Sequence, residues 1–342
     1  MQSSAEQLTV ARWLHMAEER DKAGVLRRFV EFYQTYEIAK PLIPLILLIA
    51  ASIALAPHYF LAPMNIKVIL MQTTPLALIA TGEMLAILMA GIDLSVGSTQ
   101  AAAAMLAAII TKTTGNLGLA IAAAIALGTM VGAINGALVT KLKIYSFVAT
   151  LAGLVIWRSF VIIVSGGRLI YGLSQYAVFT NDYGTYIPMG FLLAVAVVIA
   201  IYLLMTKTTF GRYVYGIGSN EEAVRLAGVR ADLIKFLAFT LAGALYGLGG
   251  VMLIAMGGFA VDPWSAQGNE LNAIASCVIG GIALTGGTGH PLGPFLGAAI
   301  LTILTNILVL LGITELATQQ IVVGIVLIAA AASLTRGLRY VK

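Results

Sequence analysis

Residues Lys207–Lys235 read KTTFGRYVYGIGSNEEAVRLAGVRADLIK. This is the longest charged interruption in the apolar part of the chain, with about six apolar segments before it and about four after. It holds Lys207, Arg212, Arg225, Arg230 and Lys235 against Glu221, Glu222 and Asp232. Connectors between membrane helices are usually short and featureless. This one carries folding signals. Asn220 is a good helix N-cap. Residues Glu221 through Ala227 are helix-compatible, with acids in the first turn, and Gly228 stands where a C-terminal glycine belongs. The segment reads as a short surface helix lying across the end of a membrane bundle. Two uses fit it: a docking site for a cytosolic partner, or a solvated basic loop that only fixes topology.

The rest of the chain supplies the bundle. Of 342 residues, 60% are hydrophobic and 10% charged, and mean hydropathy is +0.96. A soluble domain carries about 25% charge, so a chain this apolar has too few polar residues to cover a soluble core. The expected fold is all-α: a polytopic membrane helix bundle. The net charge of +5 points to basic membrane-flanking loops rather than to nucleic acid. The lone Cys277 excludes a disulfide framework, and His15, His58 and His290 are too scattered for a metal motif. Residues 1–40 contain six acids and no apolar h-region, so no cleavable signal peptide is expected. Leu8, Trp13, Leu14, Leu26, Phe29, Val30 and Tyr33 recur there at roughly helical spacing, as in an amphipathic helix on the membrane surface.

Apolar runs fall at about 41–56, 66–90, 97–110, 117–139, 147–164, 187–205, 236–256, 270–284, 294–311 and 320–334. Each is near the roughly 20 residues needed to cross, or short enough to suggest a broken or re-entrant element. Ten spans put both termini on one side. Sixteen of the 20 Lys and Arg then lie on the side of the N-terminus, which makes that side, and Lys207–Lys235, cytoplasmic. The expected organisation is a cytosolic segment 1–40, a membrane domain 41–335 and a cytosolic tail 336–342.

One internal repeat stands out. Residues 91–98 read GIDLSVGS and residues 281–288 read GIALTGGT. Each copy ends one apolar run and opens another, which suggests equivalent turns in two related halves. Asp93 lies in the first copy, where Ser95 and Ser98 suit the cap of a helix starting near Val96. Glu83 sits inside an apolar run, where a carboxylate is costly unless it has a partner or faces a polar cavity. Gln72, Thr73 and Thr74 share that run. Asn135, Glu270 and Asn306 are further polar groups in apolar runs, where an interhelical hydrogen bond is the commoner use. Arg158, also mid-span, needs a carboxylate such as Glu83 or Asp93, or several carbonyls. Gln72, Glu83, Asp93, Ser95, Asn135, Glu270 and Asn306 are therefore the candidates for a substrate pathway. Gly128, Gly132 and Gly136 recur every fourth residue, a helix-packing pattern. No nucleophile–base pair or metal spacing marks the chain as an enzyme.

Several stretches together resemble one family. GIDLSVGS at 91–98, AINGALV at 133–139 and GRYVYGIGSNEEAVRLAGV at 211–229 are similar to permease subunits of bacterial ribose-type sugar ABC importers. So are NAIASCVIGGIALTGGTGHPLGPFLGAAI at 272–300 and NILVLLGI at 306–313. The resemblance covers roughly residues 40 to 335; in much of the family a glycine follows the asparagine where Ile307 follows Asn306 here. It implies a multi-pass protein of the bacterial inner membrane with about ten helices. It also implies a second permease copy, expected as a homodimer, a periplasmic sugar-binding protein, and cytosolic ABC ATPase subunits that bind the ATP and magnesium. No cofactor is expected in this chain. The helix that contacts the ATPase would be Gly211, Arg212, Tyr215, Gly218, Asn220, Glu221, Ala223, Arg225, Leu226 and Gly228. The implied cargo is a monosaccharide. An ion-coupled secondary transporter of a small polar solute, using Asp93 or Glu83, is the alternative.

Overall fold

A computed structural model describes residues 36–338. The amphipathic segment expected over residues 1–40 lies almost wholly outside them, as does the tail beyond 338. In chain order the helices are α1 (Ala39–Leu55), α2 (Pro63–Leu88), α3 (Val96–Thr114), α4 (Leu117–Thr140), α5 (Ser146–Ser165), α6 (Met189–Lys207), α7 (Thr209–Leu226), α8 (Ala231–Met256), α9 (Asn269–Ile279), α10 (Gly293–Leu310) and α11 (Leu316–Leu338). Among the described residues only one isolated β-bridge, Ile170 with Val261, departs from the all-helical pattern. The fold is a polytopic helix bundle. Six helices, α2, α4, α5, α6, α8 and α10, are long and apolar enough to cross a membrane.

Side chains are distributed as a bilayer demands. Ile156 and Ile163 on α5, and Ile321 and Ile328 on α11, are exposed. Polar Thr99, Gln100 and Asn135 are fully or almost fully buried. Lipid is as apolar as leucine, so helices associate through close packing and internal hydrogen bonds rather than by hiding apolar surface. The α4–α8 crossing shows this. A side chain on Gly128 would collide with the Gly243 carbonyl, and one on Gly132 with the Phe239 carbonyl. The two backbones touch where the sequence places Gly128, Gly132 and Gly136.

Two elements depart from a plain full-length span. α3 begins inside the protein, with Val96, Gly97, Ser98, Thr99 and Gln100 all buried. α9 has 11 residues, a rise of about 16 Å against a hydrocarbon core of about 30 Å. The apolar run expected at 270–284 is thus cut at Ile279. Gly281, Gly286, Gly287 and Gly289 follow with positive φ, which ends the helix and folds the chain back before Gly293.

The charged segment is a longer helix than its residue types alone indicate, and it begins close to Gly211, where the family resemblance starts it. α7 starts at Thr209, not near Asn220, and bends at Asn220, whose φ of −162° is extended. The glycines at 211, 216 and 218 weaken the helical pattern in the sequence. Gly211 and Gly218 are there because α7 lies against backbone: a side chain at Gly211 would collide with the Met205 carbonyl.

Candidate functional site

The α7 end of the bundle is a three-way junction. α2 ends at Leu88, and its carbonyl accepts the Gly287 N–H at 2.9 Å. α7 lies over this bond so closely that a side chain on Gly218 would strike both the Leu88 carbonyl and the Gly287 nitrogen. Gly286 abuts Ala90, and Gly287 abuts Ser219. One turn back, Tyr215 donates its hydroxyl to the Gly289 carbonyl at 2.7 Å. The second copy, GIALTGGT, therefore meets the end of α2 just before the first copy, GIDLSVGS, begins, and α7 bridges the two. They are not identical turns. The first leads straight into α3 at Val96, while the second continues to Gly293 before α10 begins.

Past its bend, α7 is a capped single turn. Asn220 Oδ1 accepts the Ala223 N–H at 3.0 Å, the expected N-cap. Gly228, at φ 82°, closes the helix with Gly228 N–H to the Arg225 carbonyl and Val229 N–H to the Val224 carbonyl. Arg225 pairs with Glu221 at 2.7 Å and with Asp232 at 2.5 Å. Asp232 also takes Lys143 at 2.8 Å, and Glu221 takes Lys235. Hydrogen bonds that it donates to Asp232 and then to Glu221 push the Arg225 guanidinium above its ordinary pKa. Partial burial works to raise Glu221, but the hydrogen bonds from Lys235 and Arg225 win and hold it below the usual carboxylate range. The chain of charges borders a cavity of about 560 Å³ floored by Ala86, Met89 and Phe239. Arg212 is exposed. Leu226, at 83% exposure, covers nothing in this chain.

Behind the junction lies a sealed polar network. Glu83 is fully buried. Its Oε1 accepts the Asp93 N–H at 3.1 Å, and its Oε2 accepts the Tyr246 hydroxyl at 3.3 Å. Asp93 Oδ1 accepts the Ser95 N–H at 2.8 Å and the Ser95 hydroxyl at 2.6 Å. Asn135 donates to Ser95 Oγ at 2.9 Å. From α5, Ser146 accepts the Ile92 N–H and Thr150 accepts the Leu94 N–H. Every link fixes the path of residues 91–95, whose backbone has no regular structure and needs partners inside the membrane. One expectation falls here, and for Arg158 the carbonyl alternative holds. Ser95 does not cap α3 with its side chain, because Asp93 takes its hydroxyl. Arg158 pairs with neither Glu83 nor Asp93; it donates to the carbonyls of Ser265 at 2.8 Å and Pro263 at 3.4 Å.

The remaining pathway candidates scatter. Asn306 forms a reciprocal amide pair with Asn65 at 2.8 and 3.2 Å, the interhelical use. Glu270 sits in the first turn of α9 against Gly97 of α3. One of its oxygens accepts the Gly268 N–H; the other is buried with no hydrogen-bond partner among the described residues. Its charge faces the buried N-terminus of α3 and lies in the first turn of its own helix, the favourable sign at both. Thr73 and Thr74 turn their hydroxyls onto the Ile69 and Leu70 carbonyls of their own helix. Gln72 alone reaches a cavity, of about 340 Å³, and shares it with Asn269, Asn272, Thr302 and Thr305 rather than with Glu83. Those four residues, and the Lys143–Asp232–Arg225 chain, were missed in the sequence. Each sits at a helix end or in an apolar run that gives no pattern of its own.

Residues 65–331 match the family described as branched-chain amino acid transport system / permease component. The chain belongs to this permease family. It is 38% identical over 296 residues to the ribose import permease protein RbsC of Escherichia coli (strain K12), covering 85% of this chain and 91% of the relative. The RbsC protein of Bacillus subtilis (strain 168) is 36% identical over 85% of this chain and 90% of its own. The autoinducer 2 import system permease protein LsrC of Klebsiella pneumoniae is 37% identical over 78% of this chain and 77% of the relative. The ribose-type resemblance read from the motifs is thus met over most of the chain, and this permease is a multi-pass transport component rather than an enzyme. The ion-coupled alternative is not favoured.

Proposed function

We propose that this permease is the membrane-spanning subunit of an ATP-driven ABC importer that takes up a monosaccharide handed over by a periplasmic binding protein. Two copies would enclose the pathway in the bacterial inner membrane. Each would have ten membrane-embedded helices, cytoplasmic termini and α7 facing cytosolic ATPase subunits, which bind ATP and magnesium. The observation that carries this reading is the seating of α7. It is charged and capped outside the bundle, and in backbone contact with the end of α2 and the second repeat turn inside it. A push on Asn220–Gly228 reaches Leu88 and Gly287 without passing through a flexible side chain. Interfaces packed this tightly switch between arrangements rather than deform. The similarity to ribose import permeases over nearly their whole length supports the cargo class.

The test is reconstitution of the permease with its ATPase and binding protein in proteoliposomes. Uptake of radiolabelled sugar should require ATP and be indifferent to a proton gradient. Uptake driven by the gradient without ATP would overturn the proposal.

A further inference from the structure

We infer that the cavity between α2, α8, α9 and α10 is a transit site for an uncharged polyhydroxylated ligand. The inference rests on the importer reading and adds where, and by what chemistry, the cargo is held. The cavity, at about 340 Å³, falls within the range of small-molecule sites. Its polar wall is Gln72, Asn269, Asn272, Thr302 and Thr305. Amides and hydroxyls both donate and accept, as each sugar hydroxyl does. Pro75, Leu76, Leu253 and Met256 supply apolar surface for ring C–H groups.

Some of these groups have hydrogen-bonding capacity to spare. The Gln72 amide and Thr302 hydroxyl have no side-chain hydrogen bond among the described residues, and Asn272 reaches Asn269 only at 3.5 Å. Asn269 is steadied from behind: it donates to Gln100 Oε1 at 2.8 Å, and Gln100 donates to the Gly249 carbonyl at 3.2 Å. Gln100 is fully buried, so this support belongs to the protein and leaves the cavity face open. Among the described residues no ionisable side chain lines the wall. An amino acid zwitterion would bring two charges into a wall with no counter-charge, a costly desolvation. The cavity therefore selects sugars over amino acids, the cargo named in the family's general description. The buried Glu83–Asp93 network has no part in this wall.

The experiment uses the full chain in nanodiscs with Thr302→Cys and Asn272→Cys made separately; the native Cys277 is buried. A charged, water-soluble thiol reagent should modify both positions. D-ribose, D-galactose or myo-inositol should slow the reaction, and L-leucine should not. Absence of modification at both positions, protection by none of the three polyols, or protection by leucine would each overturn the inference. In the complete transporter, Asn272→Leu should lower sugar uptake by about three- to tenfold, the effect of one lost neutral hydrogen bond, with ATPase stimulation retained. Unchanged uptake counts against the site. Protection is read on the isolated permease without ATP. ATP-driven uptake with unprotected cysteines therefore defeats the site alone, whereas absence of ATP-driven uptake defeats the importer reading.

Discussion

The Gly287 amide and the Leu88 carbonyl, bonded at 2.9 Å, tie the turn after α9 to the end of α2, and Gly218 of α7 is pressed onto both atoms. Any side chain at 218 must displace backbone, since no flexible neighbour can yield. Overpacking of this kind costs about 1–3 kcal/mol. Gly218→Ala should insert and fold with a lowered melting temperature, and should lose sugar uptake out of proportion to that loss because α7 no longer seats on the junction. Uptake and thermal unfolding of the same preparation check it; wild-type uptake would count against the coupling role.

Arg225→Glu separates charge from stability. The native pairs with Glu221 and Asp232 are surface pairs with side chains about a third or more exposed, and such pairs contribute about 0–1 kcal/mol. The variant should therefore insert and melt close to wild type. It gathers three acids at 221, 225 and 232, which should push the end of α7 out of place and uncouple ATP hydrolysis from transport. Normal ATP-driven uptake in proteoliposomes would sink this.

Side of the membrane is open to direct labelling. Ser174 lies in the loop between α5 and α6, Ser219 on α7, and both are exposed. Ser174→Cys should react with an impermeant reagent from the periplasmic face and Ser219→Cys from the cytoplasmic face only. Reaction of both from one face would refute the proposed topology.

Glu221 sets a pH window. Its folded pKa is depressed by Lys235 and Arg225, so its contribution is fully present above the unfolded value of about 4.3 and is lost as pH falls through the lower folded value. Hydrogen exchange of residues 220–228 should be equally protected at pH 7 and at pH 5, and open only under stronger acid. Opening between pH 7 and pH 5 would show that the Glu221 clasp does not hold the turn.

What the sequence disclosed depended on whether the signal was local. Asn220 and Gly228 were legible because a cap is a matter of residue type and spacing over one turn. Gly128, Gly132 and Gly136 were legible because close helix packing leaves a period. The first half of α7 was legible only through the family resemblance, since Gly211 and Gly218 argue against helix locally and are explained by the backbone at Met205 and Leu88 that they press on. For Arg158 the sequence offered a carboxylate or several carbonyls without deciding, because backbone carbonyls leave no mark on the sequence; the carbonyls are the ones found. The wall of the sugar cavity was hidden for a related reason. Asn269, Asn272 and Thr302 come from two helices, and only α2 and α8 packing beside them makes a cavity.

Glu83 decides between a structural and a transport role for the buried network. Loss of its charge cannot strand Arg158, which is held by the Ser265 and Pro263 carbonyls. Its two oxygens instead receive the Asp93 N–H and the Tyr246 hydroxyl. Glutamine at 83 keeps an acceptor for Asp93 and offers its NH2 to the Tyr246 oxygen. The Tyr246 hydroxyl is then free to turn to Asp93 Oδ2, which lacks a partner among the described residues. It also removes one of two neighbouring buried acids, relieving their repulsion. Glu83→Gln should melt close to wild type and transport normally. Glu83→Ala leaves the buried Asp93 N–H unsatisfied at about 1–3 kcal/mol, while the Tyr246 hydroxyl can still turn to Asp93 Oδ2, so it should melt lower, with transport falling only in step with folded protein. In a Tyr246→Phe background the glutamine NH2 loses the tyrosine oxygen as acceptor, and the gap between Gln and Ala should narrow. A stable Glu83→Gln protein that fails to transport would return Glu83 to the pathway.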